Sequence, residues 1–442
     1  MPRANPILEV SLYGTRIGVL TDTNRRRQQM RLDFTNEAED RFGPGSLVLS
    51  CSIPLGLARR PNVGPVRSFF SGLLPEGEAR SAVERRFSIM PGDTFGLLEA
   101  IGRDCAGAVS LRPPDSPDTE PGVGPTLEVL EAGDLEMAIA ELEVHPLGAD
   151  EKVRVSLPGV QEKLLLARTP DGRWARPVNG LPTTHILKPE PKSLPAYAAG
   201  ESLCLGLARA LGLTTVAVEV IEADGTPVLV VSRYDRTRKE DGAVDRLHQE
   251  DIAQALAVDI VSGGAKYEAD GGKALRDVAR LLNEVASPSD IRNLLRTTVL
   301  NVVVGNADAH AKNLSLLHPA DGSVSLAPLY DVAPTTFYRE VPTSRGPRDL
   351  DDTMGMFVAG KRSIHAINRD DLVAEGRSWG IIASVAEEIV DETIATLAHF
   401  LADEGGSTGA PAAMLDFITL RQTALVAGQP AGHGERSTST SM

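Results

Sequence analysis

Cysteine is scarce in this chain, and the few cysteines lie far apart. The 442 residues include three of them, Cys51, Cys105 and Cys204. This number and spacing exclude a disulfide framework and a zinc-finger pattern, and they favour a reducing compartment. The sequence also lacks a run of about 18 uncharged apolar residues, the length that spans a bilayer, and its start lacks the apolar stretch of a signal peptide. We therefore expect a cytoplasmic protein without a membrane span.

Positive charge is also in deficit. The chain has 45 Lys and Arg against 60 Asp and Glu, which gives a net charge of -15. This balance argues against direct, non-specific binding to nucleic acid or to an anionic membrane, so any DNA role requires a basic partner. Apolar residues make up 42% of the chain, which is ample for a globular core.

The order of sequence patterns predicts an α+β protein built from successive modules. A mixed N-terminal module, residues 1–125, ends in the Pro- and Gly-rich connection 112–126. A β-rich lobe, residues 126–246, contains short runs such as "VRVSL", "EKLLLAR" and "PVLVVSRYD". A mostly helical lobe, 247–425, follows, and the polar tail 426–442 is expected to be disordered.

Local signals predict several individual elements. A hairpin is expected around Gly14, and helices are expected over 75–87, over 93–102 with Asp93 as N-cap, and over 198–212. Residues 340–357 show neither a helical nor a strand period and predict an irregular, mobile segment.

The stretch "GNADAHAKN" concentrates polar groups between two apolar segments. Asp308 and Asn313 have the spacing of the Asp and Asn in the kinase catalytic loop, where a carboxylate accepts a hydroxyl proton and an amide oxygen holds Mg²⁺. Asp331 follows where a second metal-binding carboxylate is required. Two alternatives stay open at this point: Asp308 could be a turn residue, or Asp308, His310 and Asp331 could ligate a transition metal in a hydrolase.

The β-rich lobe offers groups for the phosphates of a nucleotide. Lys188 ends an apolar β run, as in the kinase strand whose lysine pairs with α- and β-phosphates, although such a lysine is more often a solvated edge residue. Glu201, on the next predicted helix, is a possible ion-pair partner. The loop "SLPGVQEK" has Gly159 at its turn and adds Lys163, but a single glycine is a weak signal on its own.

Taken together, these motifs resemble the HipA family of bacterial toxin serine/threonine kinases, and the resemblance covers about residues 5–425. The stretches that carry it, in the family's order, are "SLPGVQEK", "PTTHILKP", "RLHQEDIAQAL", "GNADAHAKNLSLL" and "LAPLYDVAPT". The family's fold is a two-lobed, protein-kinase-like α+β fold behind an N-terminal module.

The resemblance implies a role for each catalytic residue. Asp308 would be the catalytic base, and Asn313 and Asp331 would hold Mg²⁺. Lys188 would contact the ATP phosphates, and Gly159 would lie in the loop that approaches them together with Lys163.

Further residues receive their roles from the resemblance alone. Glu250 lies where the family's hinge reads adenine, and His310 and Tyr330 would line the nucleotide pocket. Ser156 matches the serine that family members phosphorylate on themselves. Pro158 is a departure from the family's phosphate-binding loop, because proline fixes φ and leaves the loop with one fewer backbone N–H to donate to phosphate.

The expected activity is transfer of the ATP γ-phosphoryl group to Ser or Thr of a protein, such as an aminoacyl-tRNA synthetase or another translation factor. The expected partner is a helix-turn-helix antitoxin, through which the chain would reach DNA. Two rivals remain: a kinase-shaped repressor subunit without catalysis, and a small-molecule phosphotransferase.

Overall fold

The computed structural model describes residues 5–57, 60–114, 126–150, 153–159, 161–239, 242–258, 260, 265–343, 346–349 and 351–433, with the main chain alone at 341–343 and 346–349. Of the tail 426–442 that was predicted to be disordered, residues beyond 433 lie outside the described part, as does most of the predicted connection 112–126. The described part of the tail is ordered: Val426 ends a helix, and the buried Ala431 donates its N–H to the Ile367 carbonyl at 2.7 Å. None of the described helices is both long and apolar enough to cross a membrane.

Strands and helices alternate irregularly along the chain, and the α+β fold class is confirmed. The strands are β1 (Ile7–Leu12), β2 (Thr15–Asn24), β3 (Gln29–Phe34), β4 (Val109–Arg112), β5 (Thr126–Val129), β6 (Leu164–Arg168), β7 (Trp174–Val178), β8 (His185–Pro189), β9 (Val218–Ala223), β10 (Thr226–Ser232), β11 (Arg236–Arg238), β12 (Val244–Arg246), β13 (Gln249–Asp251), β14 (Ser315–Leu317), β15 (Ser325–Leu326), β16 (Glu340–Thr343), β17 (Gly346–Asp349), β18 (Thr353–Val358) and β19 (Lys361–Ser363). The helices are α1 (Asn36–Phe42), α2 (Val63–Gly72), α3 (Gly77–Arg86), α4 (Thr94–Ile101), α5 (Asp134–Ala140), α6 (Tyr197–Ala210), α7 (Ile252–Ala255), α8 (Leu275–Val285), α9 (Pro288–Val304), α10 (Arg369–Ser378), α11 (Ala383–Asp403) and α12 (Ala412–Val426).

The chain forms two compact units, each built from several segments. The first unit consists of Met1–Pro189, Glu222–Gly263 and Leu316–Val324, and the second consists of Glu190–Ile221, Gly264–Ser315 and Ser325–Met442. These units do not coincide with the module boundaries at 125/126 and 246/247, which stay a prediction.

Two antiparallel sheets dominate the first unit. Strands β3-β2-β1-β4 form one sheet, and strands β5-β7-β6-β8-β10 lie in that order in the other. The apolar side of the first sheet packs on α2 and α4 in a core that also takes in Val155, Leu165 and Val178 from the second half of the unit. One core therefore holds both sheets together.

The local predictions of elements are confirmed where their signals are strong. The hairpin turns at Tyr13 and Gly14, both at positive φ. The Asp93 carboxylate accepts the Gly96 N–H at the start of α4, and Gly102 ends that helix.

Two predictions about strands are wrong. "VRVSL" forms no strand, because only Val155 makes an isolated bridge, to Asp104. Residues 340–357 were expected to lack regular structure, but β16 pairs with β17, and β18 pairs with β19. Short strands of this kind depend on the partner that supplies their hydrogen bonds, which a period within one segment does not show.

A buried network of charges holds the segment that carries Ser156. The Asp104 carboxylate lies 2.9 Å from the Arg236 guanidinium and accepts two hydrogen bonds from Thr183. The main chain of Asp104 pairs with the segment around Ser156, because the Ser156 N–H donates to the Asp104 carbonyl at 2.9 Å. Beside it, Asp235 lies 2.8 Å from Arg233 and 2.9 Å from Arg236. The network thus joins three separate stretches of the first unit.

The pKa values in this network show that the carboxylates are held charged. Burial alone would raise the pKa of Asp104, but the Arg236 charge and its neighbouring arginines outweigh burial and hold it well below the usual 3.8. At Asp235 burial again raises the pKa, but the charges of Arg233 and Arg236 outweigh it and lower the pKa to about 2. Pairing therefore contributes fully to stability above about pH 4, and it is lost as the pH falls through these lowered values, because the unfolded chain then binds protons first.

We expect Asp104→Asn to lower the free energy of unfolding of the first unit by about 3–5 kcal/mol at pH 7, because buried arginines lose their counter-charge. The difference between variant and wild type should shrink as the pH is lowered below about 4, because the unfolded wild-type chain then binds a proton at Asp104 that the native state does not bind. Chemical denaturation at a series of pH values measures both effects. The exposed Asp171→Asn serves as the control and should remain close to wild type. A difference for Asp104→Asn that stays constant down to pH 2 would contradict this assignment.

Candidate active site

The polar loop begins where α9 ends, and the end of that helix is fixed by a glycine. Gly305 takes a left-handed conformation with φ 75°. The Asn306 N–H then donates to the Asn301 carbonyl at 2.8 Å, which closes the helix in a Schellman-type arrangement. A Cβ at Gly305 would lie 2.5 Å from Thr336 Oγ1. The apolar run of α9 thus ends at a defined point, and the chain leaves toward Asp308.

Hydrogen bonds fix the loop on two sides. On one side the Ala307 N–H donates to Thr335 Oγ1 at 2.9 Å, and the Thr336 N–H donates to the Gly305 carbonyl at 3.0 Å. On the other side, the Gly355 N–H in β18 donates to the Ala307 carbonyl at 2.7 Å. The loop is therefore held in place by contacts within the protein itself.

Asp308 and Asn313 occupy the two ends of this loop. The Asp308 side chain is exposed, and its Oδ1 accepts a hydrogen bond from the Tyr267 hydroxyl at 2.7 Å. The Asn313 amide nitrogen donates to the Asp308 carbonyl at 3.0 Å. Because the nitrogen is used in this way, the amide presents its oxygen as the atom that can coordinate a cation.

Asp331 has a strained main chain. Its φ is 57°, in the left-handed region that residues other than glycine rarely adopt, and its side chain is exposed. Strain of this kind is characteristic of functional sites. Asp331 and Asn313 line the same small pocket, together with Asn301, Asn306 and Val332.

His310 and Tyr330 line this pocket as well, and both also support the loop. His310 is buried, its Nδ1 accepts the Lys312 N–H at 3.3 Å, and its ring lies edge-on to Tyr267 with the centroids 5.1 Å apart. The Tyr330 hydroxyl donates to the Lys312 carbonyl at 2.9 Å and contacts Ser315 Oγ at 2.6 Å.

Helix α6 contributes a further carboxylate to the second unit. Glu201 is 1% exposed. Burial raises the pKa of Tyr197, one turn earlier on the same helix, and the negative charges of Glu201, Asp331 and Asp308 raise it further. Three carboxylates of the second unit therefore act on the Tyr197 hydroxyl, and a cation bound near them would offset their charge. Lys188 lies in the first unit, and its pairing with Glu201 stays a prediction.

In the first unit, Ser156 is fully buried, and its hydroxyl donates to the Leu73 carbonyl at 2.7 Å. Gly159 has φ 115°, a conformation that requires glycine, and the Lys163 ammonium donates to the Pro158 carbonyl at 2.7 Å. A Cβ on Gly159 would lie 2.5 Å from Lys163 Nζ. The loop and its lysine therefore pack closely.

Lys188 and Glu250 are both buried in the first unit. Lys188 lies in β8, opposite Leu229 of β10, and is 8% exposed. Glu250 is 1% exposed, and its Oε1 accepts the Cys51 N–H at 2.7 Å. The Glu250 side chain thus faces the protein interior.

Sequence reasoning missed three residues that position the loop. Tyr267 contacts Asp308 across 41 residues of sequence, and Thr335 and Gly355 bind its main chain. Thr335 is the last residue of the quoted motif "LAPLYDVAPT" but was given no role there, and neither Tyr267 nor Gly355 lies in a recognisable spacing.

We expect Gly355→Ala to lower the rate of the phosphoryl transfer that the motifs predict by about a hundredfold. The new Cβ would lie 2.7 Å from the Ala309 carbonyl carbon and 2.8 Å from the His310 nitrogen. The loop would have to move to make room, and a displacement of this kind commonly lowers the rate about a hundredfold. Gly406→Ala is the matched control, since its Cβ meets nothing within 4 Å. Steady-state kinetics with thermal melts of both variants provide the measurement. Full activity in Gly355→Ala would show that β18 does not position the loop.

Comparison with known proteins places these features in a family. Residues 155–400 match the HipA-like C-terminal domain, and residues 8–112 match the HipA N-terminal domain. The chain is 36% identical over 346 residues to a proposed kinase, Y4mE, of Sinorhizobium fredii, which covers 76% of this chain and 79% of that protein. It is 29% identical over 311 residues to the serine/threonine-protein kinase toxin HipA of Shewanella oneidensis, which covers 66% of this chain and 68% of the toxin.

A solved structure shows the same fold. The Shewanella oneidensis toxin–antitoxin complex of HipA, HipB and operator DNA contains a chain that matches with a TM-score of 0.75 and 23% identity, over 95% of this chain and 96% of that one. The HipA-type fold predicted from the motifs is confirmed.

Proposed function

Since the chain belongs to the HipA family, we propose that it is an ATP-dependent serine/threonine protein kinase that acts as a toxin. The observation that carries this proposal is the second-unit site, where Asp308, Asn313 and the strained Asp331 are fixed around one loop and pocket. Such an arrangement suits phosphoryl transfer, in which catalysis depends on positioning and charge stabilisation.

Asp308 is the proposed base. Its exposed carboxylate already accepts a hydroxyl donor, Tyr267, at 2.7 Å, which is the distance at which a substrate Ser or Thr would give up its proton. A substrate hydroxyl would take the place of this contact. Tyr267 would hold the Asp308 carboxylate in position until the substrate hydroxyl replaces it.

Asn313 and Asp331 are the residues that would hold Mg²⁺. Their oxygens are hard ligands of the type that Mg²⁺ prefers, and the exposed Asp331 side chain and the oriented Asn313 amide fit this role. When bound, the ion neutralises charge on the β- and γ-phosphates. His310 and Tyr330 would shape the wall of the nucleotide pocket by keeping the loop in place.

In the first unit, the proposed contacts to ATP are made by Gly159, Lys163, Lys188 and the main chain at Glu250. The main chain is proposed for Glu250 because its carboxylate is buried against Cys51. Gly159 allows close approach of the backbone to phosphate, and the two lysines supply positive charge. Pro158 leaves one fewer N–H donor, and its carbonyl binds Lys163 until the nucleotide competes for it.

We also propose a partner, a target and a regulatory serine. A helix-turn-helix antitoxin would neutralise the kinase and supply the basic surface for DNA that a chain of net charge -15 lacks; the related toxin of known structure was solved with HipB and operator DNA. The target would be a translation factor or an aminoacyl-tRNA synthetase in the cytoplasm. Ser156 would be the autophosphorylation site.

The test is incubation of the purified chain with radiolabelled ATP, Mg²⁺ and an extract of its own host, followed by identification of the labelled proteins. Label on one protein Ser or Thr supports the proposal. Label on a small molecule, with sugars and aminoglycosides as probes, would favour a small-molecule phosphotransferase. Absence of any transfer, with antitoxin binding intact, would favour a non-catalytic repressor subunit.

A further inference from the structure

Three chemically different side chains converge inside the first unit, and none of these side chains is a proposed ligand of ATP or Mg²⁺. One ligand atom from each of Cys51, Glu250 and His318 lies within 4.8 Å of the other two. Glu250 and His318 are buried and Cys51 is half-buried. A thiol, a carboxylate and an imidazole are the ligand types that zinc takes in proteins.

Three polar atoms of this cluster lack a hydrogen-bond partner in the described part of the protein. Glu250 Oε2 and both ring nitrogens of His318 are buried without a hydrogen-bond partner among the described residues. The His318 Nε2 lies 3.1 Å from Glu250 Oε1, yet the two are not aligned as a hydrogen bond. Buried polar groups are nearly always paired in native proteins, so several such atoms around one point indicate a site that can bind a ligand.

Hydrogen bonds to the main chain hold the segments that carry Cys51 and His318, and one of them also holds the Glu250 side chain. The Cys51 N–H donates to Glu250 Oε1 at 2.7 Å, and Leu49, two residues earlier, accepts from His248 at 2.8 Å. The His318 N–H donates to the His248 carbonyl at 2.9 Å, while the His318 carbonyl accepts from Tyr13 at 2.6 Å. The cluster is therefore preorganised, with small side-chain movements left to close it around an ion.

We propose that Cys51, Glu250 and His318 form a binding site for a divalent, borderline-soft metal ion of the zinc class. The mixed sulfur, nitrogen and oxygen set disfavours Mg²⁺ and Ca²⁺, which prefer oxygen ligands alone. Three protein ligands leave a fourth tetrahedral position for water. On binding, the Cys51 thiol releases its proton to solvent, and His318 coordinates as neutral imidazole.

This site uses the side chain of Glu250, whereas the proposed ATP contact at that residue uses the main chain. Its residues were invisible to spacing rules, because Cys51 and Glu250 are 199 residues apart. A metal here would link the Cys51 loop, strand β13 and the chain after β14 within the first unit. It would therefore stabilise that unit whether or not the chain transfers phosphate.

The experiment uses untagged, full-length protein that has been stripped with a chelator and titrated with Co²⁺ and then Zn²⁺. Co²⁺ should give a thiolate-to-metal charge-transfer band at one equivalent, which Zn²⁺ then removes. A purely oxygen-ligated ion at Asn313 and Asp331 gives no such band, so the two sites are distinguished. Zn²⁺ should also raise the melting temperature.

Cys51→Ala should abolish the thiolate band and weaken Zn²⁺ binding by more than about tenfold, since even loss of an outer-shell partner costs that much. His318→Gln should keep a thiolate signal with weakened affinity. Cys105→Ala is the matched control, because this buried cysteine of the same unit contacts the Gly102 carbonyl instead, and it should bind like wild type. A missing band in the wild type, or a band that survives in folded Cys51→Ala, overturns the site.

Discussion

Asp308→Asn is expected to lower the rate of phosphoryl transfer by about 10²–10⁴-fold, the usual contribution of a general base, while the fold stays intact. The side chain is exposed, and an Asn oxygen can still accept the Tyr267 hydroxyl that Asp308 binds at 2.7 Å. The change therefore removes a proton acceptor and little else. Single-turnover transfer from labelled ATP, together with the melting temperature, measures the effect.

Asp331→Asn should be equally damaging for a different reason. Asn tolerates the left-handed φ of 57° that this position requires, so the main chain should not change. The variant loses the negative charge that would hold the ion against the phosphates, which is worth several kcal/mol in the transition state. Raising the Mg²⁺ concentration should recover part of the activity in Asp331→Asn but none in Asp308→Asn.

The control for both is Asp416→Asn, an exposed Asp on α12 of the same unit. It should retain wild-type turnover and stability. If either site variant turns over at the wild-type rate with an unchanged melting temperature, that residue does not have the role proposed here.

Local signals in the sequence were sufficient to predict those features that depend only on residues close together in the chain. The start of α4 at Asp93 and its end at Gly102 follow from capping chemistry. The spacing of Asp308 and Asn313 likewise lies within one loop, which is why it could be compared directly with a kinase pattern. A short polar stretch after an apolar helix was enough to locate the candidate site.

The sequence was not sufficient to predict those features that depend on residues far apart in the chain. The pairing of β16 with β17 needs two short segments that have no period of their own. The contact of Tyr267 with Asp308 and the convergence of Cys51 with Glu250 and His318 arise only from tertiary packing. Buried networks of this kind leave no fixed spacing, because the chain between their members can vary in length.

The charges around the Ser156 segment illustrate the same limit. Sequence reasoning gave Ser156 a loop position, and the structure shows that it is fully buried, with its hydroxyl bound to the Leu73 carbonyl. Its main chain is held through Asp104. A serine in this state is protected from modification until its segment opens.

Phosphorylation of Ser156 is therefore expected to lower the affinity for ATP and to inactivate the proposed kinase. A phosphoserine adds about -1.5 to -2 charges and three oxygens that accept hydrogen bonds. These oxygens cannot donate a hydrogen bond to the Leu73 carbonyl, as the Ser156 hydroxyl does. Burying such a group unpaired costs many kcal/mol. The segment up to Gly159 should therefore leave its position and break the contact between the Gly159 carbonyl and the Glu76 N–H. Lys163, whose ammonium binds Pro158, would be displaced with it.

The measurement compares the same protein preparation before and after phosphatase treatment, with the site mapped by mass spectrometry and ATP affinity determined by calorimetry. The phosphorylated form should lose at least about a hundredfold in affinity, and limited proteolysis should cut near residues 153–159 only in that form. Ser156→Ala takes a donor away from the buried Leu73 carbonyl, at a cost of about 1–3 kcal/mol. It should not be modified at this position, but its ATP affinity alone is not a clean test because the hydroxyl also positions the loop. Ser323→Ala, a matched change at an exposed serine, should still be modified at Ser156. Undiminished ATP affinity with Ser156 fully phosphorylated, or phosphate found at other residues alone, would show that Ser156 is a packing residue and that the switch lies elsewhere.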